Sequence, residues 1–471
     1  MRFLGIDIGS SFIKGAILDA GALRLSHVVR APAPPFVTGL DPGFREIEPD
    51  LMVQSVREIL DRLHLHCPDA SGVLMCSQLH GVVLCDGSGQ ALTRFITWQD
   101  QRGLQPVPSG RTSCFDAIES LITRDERRQL GNERVLGIPL NPLFWLSQHD
   151  TLPASDAIPA ALPYFVAARL CGGAPVSDVT HAHGHGALHI ETLDWHRGVI
   201  AKLGLDTLQW PAIVPQGAVI GEWRHGSRSL PIYAPVGDYH VSQVGALLEA
   251  DELSVNISTG SAVIRIATQC ESGDFQTRPW FDGRYLKTIT HLPAGRALNA
   301  LLRLLTEIAT AQGVTLQDPW EFIHSEAARV DGGGLRVDPA FYPGNMGDHG
   351  SILNLCESNM TVGHLFHALF AGMADNYAKC AGRIAPDRDW SRLVFSGGAA
   401  LKNSVLRQLI CARLGDSHRL ASSDEDTLFG LLVLSLAFTG SHPSVREAIA
   451  HVRENHPVKA ETPKIANTTQ P

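Results

Sequence analysis

Asp7 lies inside an apolar run, Phe3-Leu-Gly-Ile-Asp-Ile8, and is followed at once by a tight turn of small residues, Gly9-Ser10-Ser11. Burying a carboxylate in such a run is costly unless a cation neutralises it, and either a metal–phosphate group or a buried Arg or Lys would serve. Small turn residues leave backbone N–H groups free to face an anion. The apolar pattern resumes from Phe12 to Leu18 and ends on Asp19, which predicts a hairpin. The same design returns half a chain later. Leu253-Ser-Val-Asn-Ile-Ser-Thr-Gly-Ser261 is another alternating strand entering a small-residue turn, it leaves through Ala262 to Ala267, and Asn256 falls near the place of Asp7. Two such hairpins predict two domains of one plan facing each other, with both turns at the phosphates of a nucleotide held between them.

Gly237-Asp238 ends a predicted strand, Pro231 to Asp238, just before a helical segment from His240 to Glu249. A carboxylate there stands in the usual ligand crevice of an open α/β sheet and can accept the proton of a hydroxyl during phosphoryl transfer. Its competing role is a helix N-cap. Gln78-Leu-His-Gly81 and Trp98-Gln-Asp-Gln-Arg102 both follow strands. An amide, an imidazole, an indole face, a carboxylate and a guanidinium suit a polyhydroxylated ligand. Their plainer readings are a satisfied core histidine at His80 and a surface pair at Asp100–Arg102. Ser396-Gly-Gly-Ala-Ala-Leu-Lys-Asn403 crosses from strand to helix through glycines, which admits a phosphate or a flat base. The alternate histidines from His181 to His189 would share one face of a strand, but no complementary ligand set accompanies them. Gly332-Gly-Gly334 lacks the Lys-Ser/Thr that completes a phosphate loop, so it is expected to be flexible.

Around these residues the pattern predicts a helix over 48–63, strands at 72–76 and 82–85, helices near 118–129 and 162–170, and in the second half helices over 297–312, 365–383, 401–414 and 428–438. A Ser422…Glu425 capping box is expected to start the last of these. The boundaries that follow are 1–245 for a first domain, 246–440 for a second and 441–471 for a polar tail, loose from Thr462 onward. The chain has 471 residues, 44% of them hydrophobic, enough for two or three packed domains. A net charge of −9 argues against a nucleic-acid partner. The longest apolar run, 428–438, is too short to span a membrane, and no signal peptide is expected, since Arg2 is followed at once by a strand containing Asp7. Nine scattered cysteines without a CxxC spacing are expected to be buried thiols in a reducing compartment, the cytoplasm.

Taken in order, these elements resemble the FGGY carbohydrate kinases of the actin/Hsp70-like ATPase superfamily. The similarity runs over about residues 3–440 through six motifs: Asp7 to Ser10, Gln78 to Gly81, Trp98 to Arg102, Gly237-Asp238, Thr259 to Ser261 and Gly397 to Asn403. Within the family, the stretches Gln78 to Val83, Phe95 to Asp100, Val255 to Thr259 and Trp280 to Leu286 are most similar to sedoheptulokinases. The resemblance implies an α/β fold of two ribonuclease-H-like domains with a central cleft. It also implies transfer of phosphate from ATP, with Mg²⁺, to a terminal primary hydroxyl of a ketose. Sedoheptulose is the first choice; xylulose, ribulose or another polyol is the alternative, and a non-catalytic nucleotide sensor a more remote one. By the same resemblance Asp238 is the catalytic base, and Gln78, His80, Gly81, Trp98, Asp100 and Arg102 bind the sugar. Asp7, Gly9, Ser10, Ser11, Lys14, Thr259, Gly260, Ser261, Gly397, Gly398 and Asn403 hold the nucleotide, and Asp7 and Asp238 the metal through water. A homodimer is compatible with it. Two departures bear on substrate fit: Gly344-Asn-Met-Gly347 where many members have Gly-Glu-Arg, and the bulky Tyr239 beside Asp238.

Overall fold

The structure, a computed structural model, describes residues 1–153 and 156–455. The first sheet starts with β1 (Arg2–Ile8), β2 (Phe12–Asp19) and β3 (Arg24–Pro32), an antiparallel meander in which Asp7 pairs with Lys14 across the first hairpin. Helix α1 (Pro49–His66) then returns the chain to β4 (Val73–Ser77), parallel to β1 with Asp7 opposite Cys76. Later strands β5 (Val219–His225), β6 (Arg228–Tyr233) and β7 (Val236–Gly237) complete the sheet beyond β4. Alternation divides β1 between two faces. Leu4, Ile6 and Ile8 pack with Val56, Ile59 and Leu60 of α1, whereas Phe3 joins Leu18, Leu74 and Cys76 on the other face.

After α2 (Asp238–Gly245) the plan repeats. Strands β8 (Glu252–Ile257), β9 (Ser261–Ala267), β10 (Gln276–Pro279) and β11 (Tyr285–Leu292) form a second antiparallel set, in the spatial order β8-β9-β11-β10. Helices α3 (Gly295–Ala311) and α4 (Val362–Ile384) lead to β12 (Arg392–Ser396), parallel to β8 with Asn256 opposite Ser396. Thus Asn256 and Ser396 occupy in the second sheet the stations of Asp7 and Cys76 in the first. Helices α5 (Gly398–Lys402) and α6 (Ser404–Leu414), strand β13 (His418–Leu420), α7 (Asp426–Phe438) and α8 (Val445–Asn455) follow.

Helices α2 and α7 lie between the two sheets. Val241 and Val244 of α2 and Leu428, Leu431 and Leu432 of α7 share one core with Leu74 of the first sheet and Ile264, Leu286 and Val394 of the second. A helix packed from both sides must be apolar all round, which α7 is. So α7 packs on the first sheet although it closes the sequence of the second.

Four local expectations are corrected. The segment 118–129 forms two helices, Cys114–Leu121 and Arg124–Gln129, because Thr123 and Glu126 make a capping box that starts the second. His181 and His183 lie on a short helix, Val179–Gly184, N-capped by Asp178, not on a strand. Asn403 interrupts 401–414 by accepting the N–H of Leu406 at 3.0 Å. The Ser422…Glu425 box does not form: the helix starts at Asp426, and Glu425 is drawn instead to Lys14 at 2.8 Å and Arg30 at 2.6 Å. The tail also needs revision, since Val445, Ala448, Ile449 and Val452 give α8 a buried apolar stripe. Thr462 to Pro471 lie outside the described residues. All nine cysteines are free, and Cys356 is exposed rather than buried. No helix among the described residues is long and apolar enough to cross a membrane.

Candidate active site

The carboxyl ends of β1, β4 and β7 and the turn of the second hairpin meet at a cavity of about 320 Å³, the size of a small-molecule site. Both domains line it. The first contributes Ser10, Gln78, His80, Trp98 and Asp238; the second contributes Asn256, Gly260, Ser261, Arg278, Thr290 and His291. A second cavity, of about 670 Å³, opens on the far side of the same turn between Ser258, Thr259, Leu298, Trp320, Gly398 and Asn403. Thr259 faces the larger cavity and Gly260 the smaller, so the turn 258–260 is a wall shared by both.

Asp238 is the first residue of α2 and accepts the N–H of Tyr239 at 2.6 Å. Burial, and then the charge of Asp7, push its carboxyl up to about 7, against the Tyr239 N–H and the cation of Arg278. Asp7 is raised too, chiefly by burial, and is held by Thr427, whose hydroxyl donates to it at 2.7 Å from the first turn of α7. Two buried carboxylates, both raised by burial and one raised further by the charge of the other, are ready for a cation or for a proton from a substrate. His80 is pushed down to about 4 by burial and is therefore neutral. Its Nδ1–H donates to the Gly184 carbonyl at 2.9 Å, which leaves Nε2 to accept a hydroxyl.

Sequence reasoning missed a buried ion pair that ties the domains together beside the cavity. Arg278 of β10 donates to Glu133 at 2.9 and 2.7 Å, and both side chains are almost wholly buried. Burial opposes the Glu133 charge, but Arg278 holds the carboxyl down at about 2. The guanidinium also lies 4.4 Å from the ring centroid of Tyr239. That explains the bulk of Tyr239: its ring carries Arg278, and its hydroxyl meets that of Thr288 at 2.5 Å. No local signal marks Glu133 or Arg278. Asn256 was visible through the repeat, and it donates to Ser396 at 2.8 Å.

Several expected ligand residues are placed elsewhere. Asp100 and Arg102 are buried and do not line the cavity: Asp100 accepts from Arg102 at 2.8 and 2.9 Å and from the Arg45 N–H at 2.8 Å. Arg102 also bonds Glu46 at 2.5 Å and packs on Phe44 and Trp145. Their hydrogen bonds are already used, so they anchor the loop that presents Trp98. Gly81 holds a turn at φ 96°, where a Cβ would meet Phe95 at 2.7 Å. Lys14 spans from Asp7's strand partner position to Glu425. Gly9 and Ser11 border the turn beside Ser10 without lining either cavity, and Ser261 accepts from the Tyr377 hydroxyl at 3.0 Å. Gly397 adopts φ 84° with Ile257 and Ser258 against it, whereas a Cβ on Gly398 would meet nothing within 4 Å. Asp426, beside the Gly397 N–H, is pushed up to about 7 by burial. The histidine run gives no metal site: among the described residues no cluster of three or more His, Cys, Asp or Glu could hold an ion.

The chain matches the N-terminal domain model of the FGGY family of carbohydrate kinases over residues 2–236 and the C-terminal model over 291–438. This chain belongs to that family. It is therefore a carbohydrate kinase, a phosphotransferase with a sugar or polyol as acceptor. The kinase is 24% identical to the sedoheptulokinase of Mus musculus over 92% of this chain and 97% of that protein. It is 22% identical to the sedoheptulokinase of Homo sapiens, over 86% and 91%. Bacterial xylulose kinases match smaller shares, that of Staphylococcus xylosus at 25% identity over 45% of this chain. In fold, the kinase superposes on gluconate kinase from Lactobacillus acidophilus with a TM-score of 0.81, covering 98% of this chain and 92% of that one at 20% identity. The two-domain α/β architecture with a central cleft is that of the family.

Proposed function

We propose that this kinase transfers the terminal phosphoryl group of ATP to the end hydroxyl of a ketose, with sedoheptulose as the ketose. The observation that carries the transfer is the shared wall at 258–260, with a phosphate-sized turn between a large cavity and a small one and Asp238 lining the small one. A nucleotide lying in the larger cavity has its adenine among Leu298 and Trp320 and its phosphates over Thr259 and Gly260. A sugar in the smaller cavity presents its primary hydroxyl to Asp238, which takes the proton as the oxygen attacks. Gln78, the Nε2 of His80 and Arg278 bind the remaining hydroxyls, and Trp98 covers the carbon chain. The mutually repelling, oxygen-only pair Asp7 and Asp238 fits Mg²⁺, which favours hard oxygen ligands and keeps several waters. Bound there, the ion would offset phosphate charge. Support for the heptulose comes from the full-length match to two sedoheptulokinases, against partial matches to xylulose kinases.

ADP release measured with Mg-ATP and a panel of ketoses and polyols of five to seven carbons tests the substrate. Sedoheptulose should give the highest kcat/KM, because a site that hydrogen-bonds particular hydroxyls discriminates against analogues that lack them. Xylulose or ribulose ahead of it would replace the substrate and keep the kinase. In the same assay His80→Ala should lower kcat/KM for the sugar by about tenfold or more while leaving the KM for ATP within about twofold, since one lost hydroxyl contact is worth about 1–3 kcal/mol. On the nucleotide side, Gly398→Val should fold normally and raise the KM for ATP about tenfold, because its side chain enters open space in the proposed ATP cavity. Unchanged ATP kinetics would remove that cavity from the nucleotide.

A further inference from the structure

A third cavity, larger than the two that share the turn 258–260, belongs to neither site. It encloses about 880 Å³ between the helix Arg124–Gln129 of the first domain and the approach to β10 in the second. Five guanidinium groups line it, from Arg124, Arg127, Arg128, Arg134 and Arg383, against two carboxylates, Glu119 and Asp274. In a chain with net charge −9 this is a local reversal of sign. The two carboxylates do not neutralise it. Glu119 is shared by Arg127 and Arg134, while Asp274 pairs with Arg383 at 2.9 Å. Arg128 has only an exposed contact with Asp125 at 3.2 Å, and Arg124 has no hydrogen-bond or ion-pair partner among the described residues. Burial above all, with a smaller effect of the neighbouring Arg134, holds the Arg127 guanidinium below its usual pKa. Asn132, Asn345, Ser272 and Gln276 add neutral hydrogen-bonding groups to the same walls.

The cavity is joined to both domains and to the sugar site. Asn132 donates across the domain boundary to the carbonyls of Gly273 at 2.8 Å and Phe275 at 3.2 Å. Gln276 donates to the Thr290 hydroxyl at 3.1 Å and accepts the Thr290 N–H at 3.1 Å, and Asn345 donates to the Thr290 carbonyl at 2.7 Å. Thr290 and His291 line the smaller cavity on the other side of that strand.

We infer that this cavity binds a phosphorylated sugar as a second ligand, distinct from the sugar being phosphorylated, and that its binding is linked to the sugar site through Gln276 and Thr290. Planar guanidinium forks from two domains match a phosphate monoester, and the asparagines and glutamine match the hydroxyls of its carbon chain. The volume exceeds what a lone tetrahedral anion needs. A ligand that bridges both domains favours the arrangement in which both walls reach it, so it should strengthen sugar binding in the cleft between them.

The test is calorimetric titration of the full chain, without ATP, with glucose 6-phosphate and sedoheptulose 7-phosphate, and with inorganic phosphate and gluconate as comparison anions. Saturable binding of a sugar phosphate is expected, weakened about tenfold or more in Arg124→Ala/Arg128→Ala and in Arg383→Ala and unchanged in His80→Ala, since each lost charge-assisted bond costs about 1.5–3 kcal/mol. In the kinetic assay glucose 6-phosphate should lower the sugar KM of the wild type about fivefold, the lower end of ordinary coupling energies, and leave that of the arginine variants unmoved. Binding lost in His80→Ala but kept in the arginine variants would place the ester in the catalytic cleft and overturn the second site. No binding of either ester would overturn it as well. Equal affinity for inorganic phosphate or gluconate would overturn the ligand class, and binding without a change in KM would overturn the linkage. Because binding is read without turnover, the binding outcomes stand apart from success or failure of the proposed ketose.

Discussion

Asp238→Asn should lower kcat by about 10²- to 10⁴-fold while leaving nucleotide affinity nearly intact, because an amide keeps the shape of the carboxylate but cannot take the substrate proton. The variant should not be weakened in its fold. The Asp238 carboxyl is raised from 3.8 to about 7, so the folded protein gains proton affinity there, and the contribution to stability is full below the unfolded value. It is lost as pH rises through about 7, where the buried group must ionise. An amide escapes that cost, so above neutrality Asp238→Asn should denature at no lower urea concentration than the wild type. The same shift gives the wild type a pH profile in which kcat/KM climbs through about 7 and levels off above it, as a base that must lose its proton requires. Near-normal turnover of the folded amide variant, or a flat profile across that range, would take the base role away from Asp238.

The second large effect is expected at the pair beneath it. Glu133→Gln leaves the Arg278 guanidinium buried without a counter-charge, and the cost of stranding one member of such a pair is about 3–5 kcal/mol. Chemical denaturation should show it as a clear fall in midpoint. Glu133→Leu combined with Arg278→Met removes both charges and should recover most of that stability. Activity should not recover with it. Arg278 lines the sugar cavity and opposes the upward shift of Asp238, so its loss should raise the sugar KM and move the rising limb of the pH profile to higher pH. The groups that set that limb are Asp7, Arg278 and the Tyr239 N–H. A double variant with restored stability, unchanged sugar KM and an unmoved profile would confine Arg278 to a structural role.

Much of the molecule was legible from short stretches of sequence. The two hairpins, the helix over Pro49–His66 and the strand breaking at Ser396 onto Gly397 are set by neighbours in the chain: periodicity chooses strand or helix, and turn residues choose the reversal. The repeat of one hairpin plan was enough to predict two facing domains, and the buried face of α8 was equally readable in the spacing of Val445, Ala448, Ile449 and Val452, though composition concealed it. The family motifs indicated where Asp7, Gln78, His80 and Asp238 would gather, because strand ends of one sheet share an edge.

Partnerships between distant residues were not legible. Glu133 and Arg278 are 145 positions apart, and Asp7 meets Thr427 across 420. Nothing near either residue in the chain specifies the other, since the contact exists only after two sheets dock around α2 and α7. Asp100 and Arg102 show the converse. Their types and spacing suit a sugar, but Phe44, Trp145 and Glu46 close over them and use up their charge. The sequence by itself determined which groups capable of chemistry the chain carries and which local shapes present them. Tertiary packing decided which of those groups face the cavities and how strongly each holds its proton, because desolvation and charge pairing depend on distances that exist only in the folded chain.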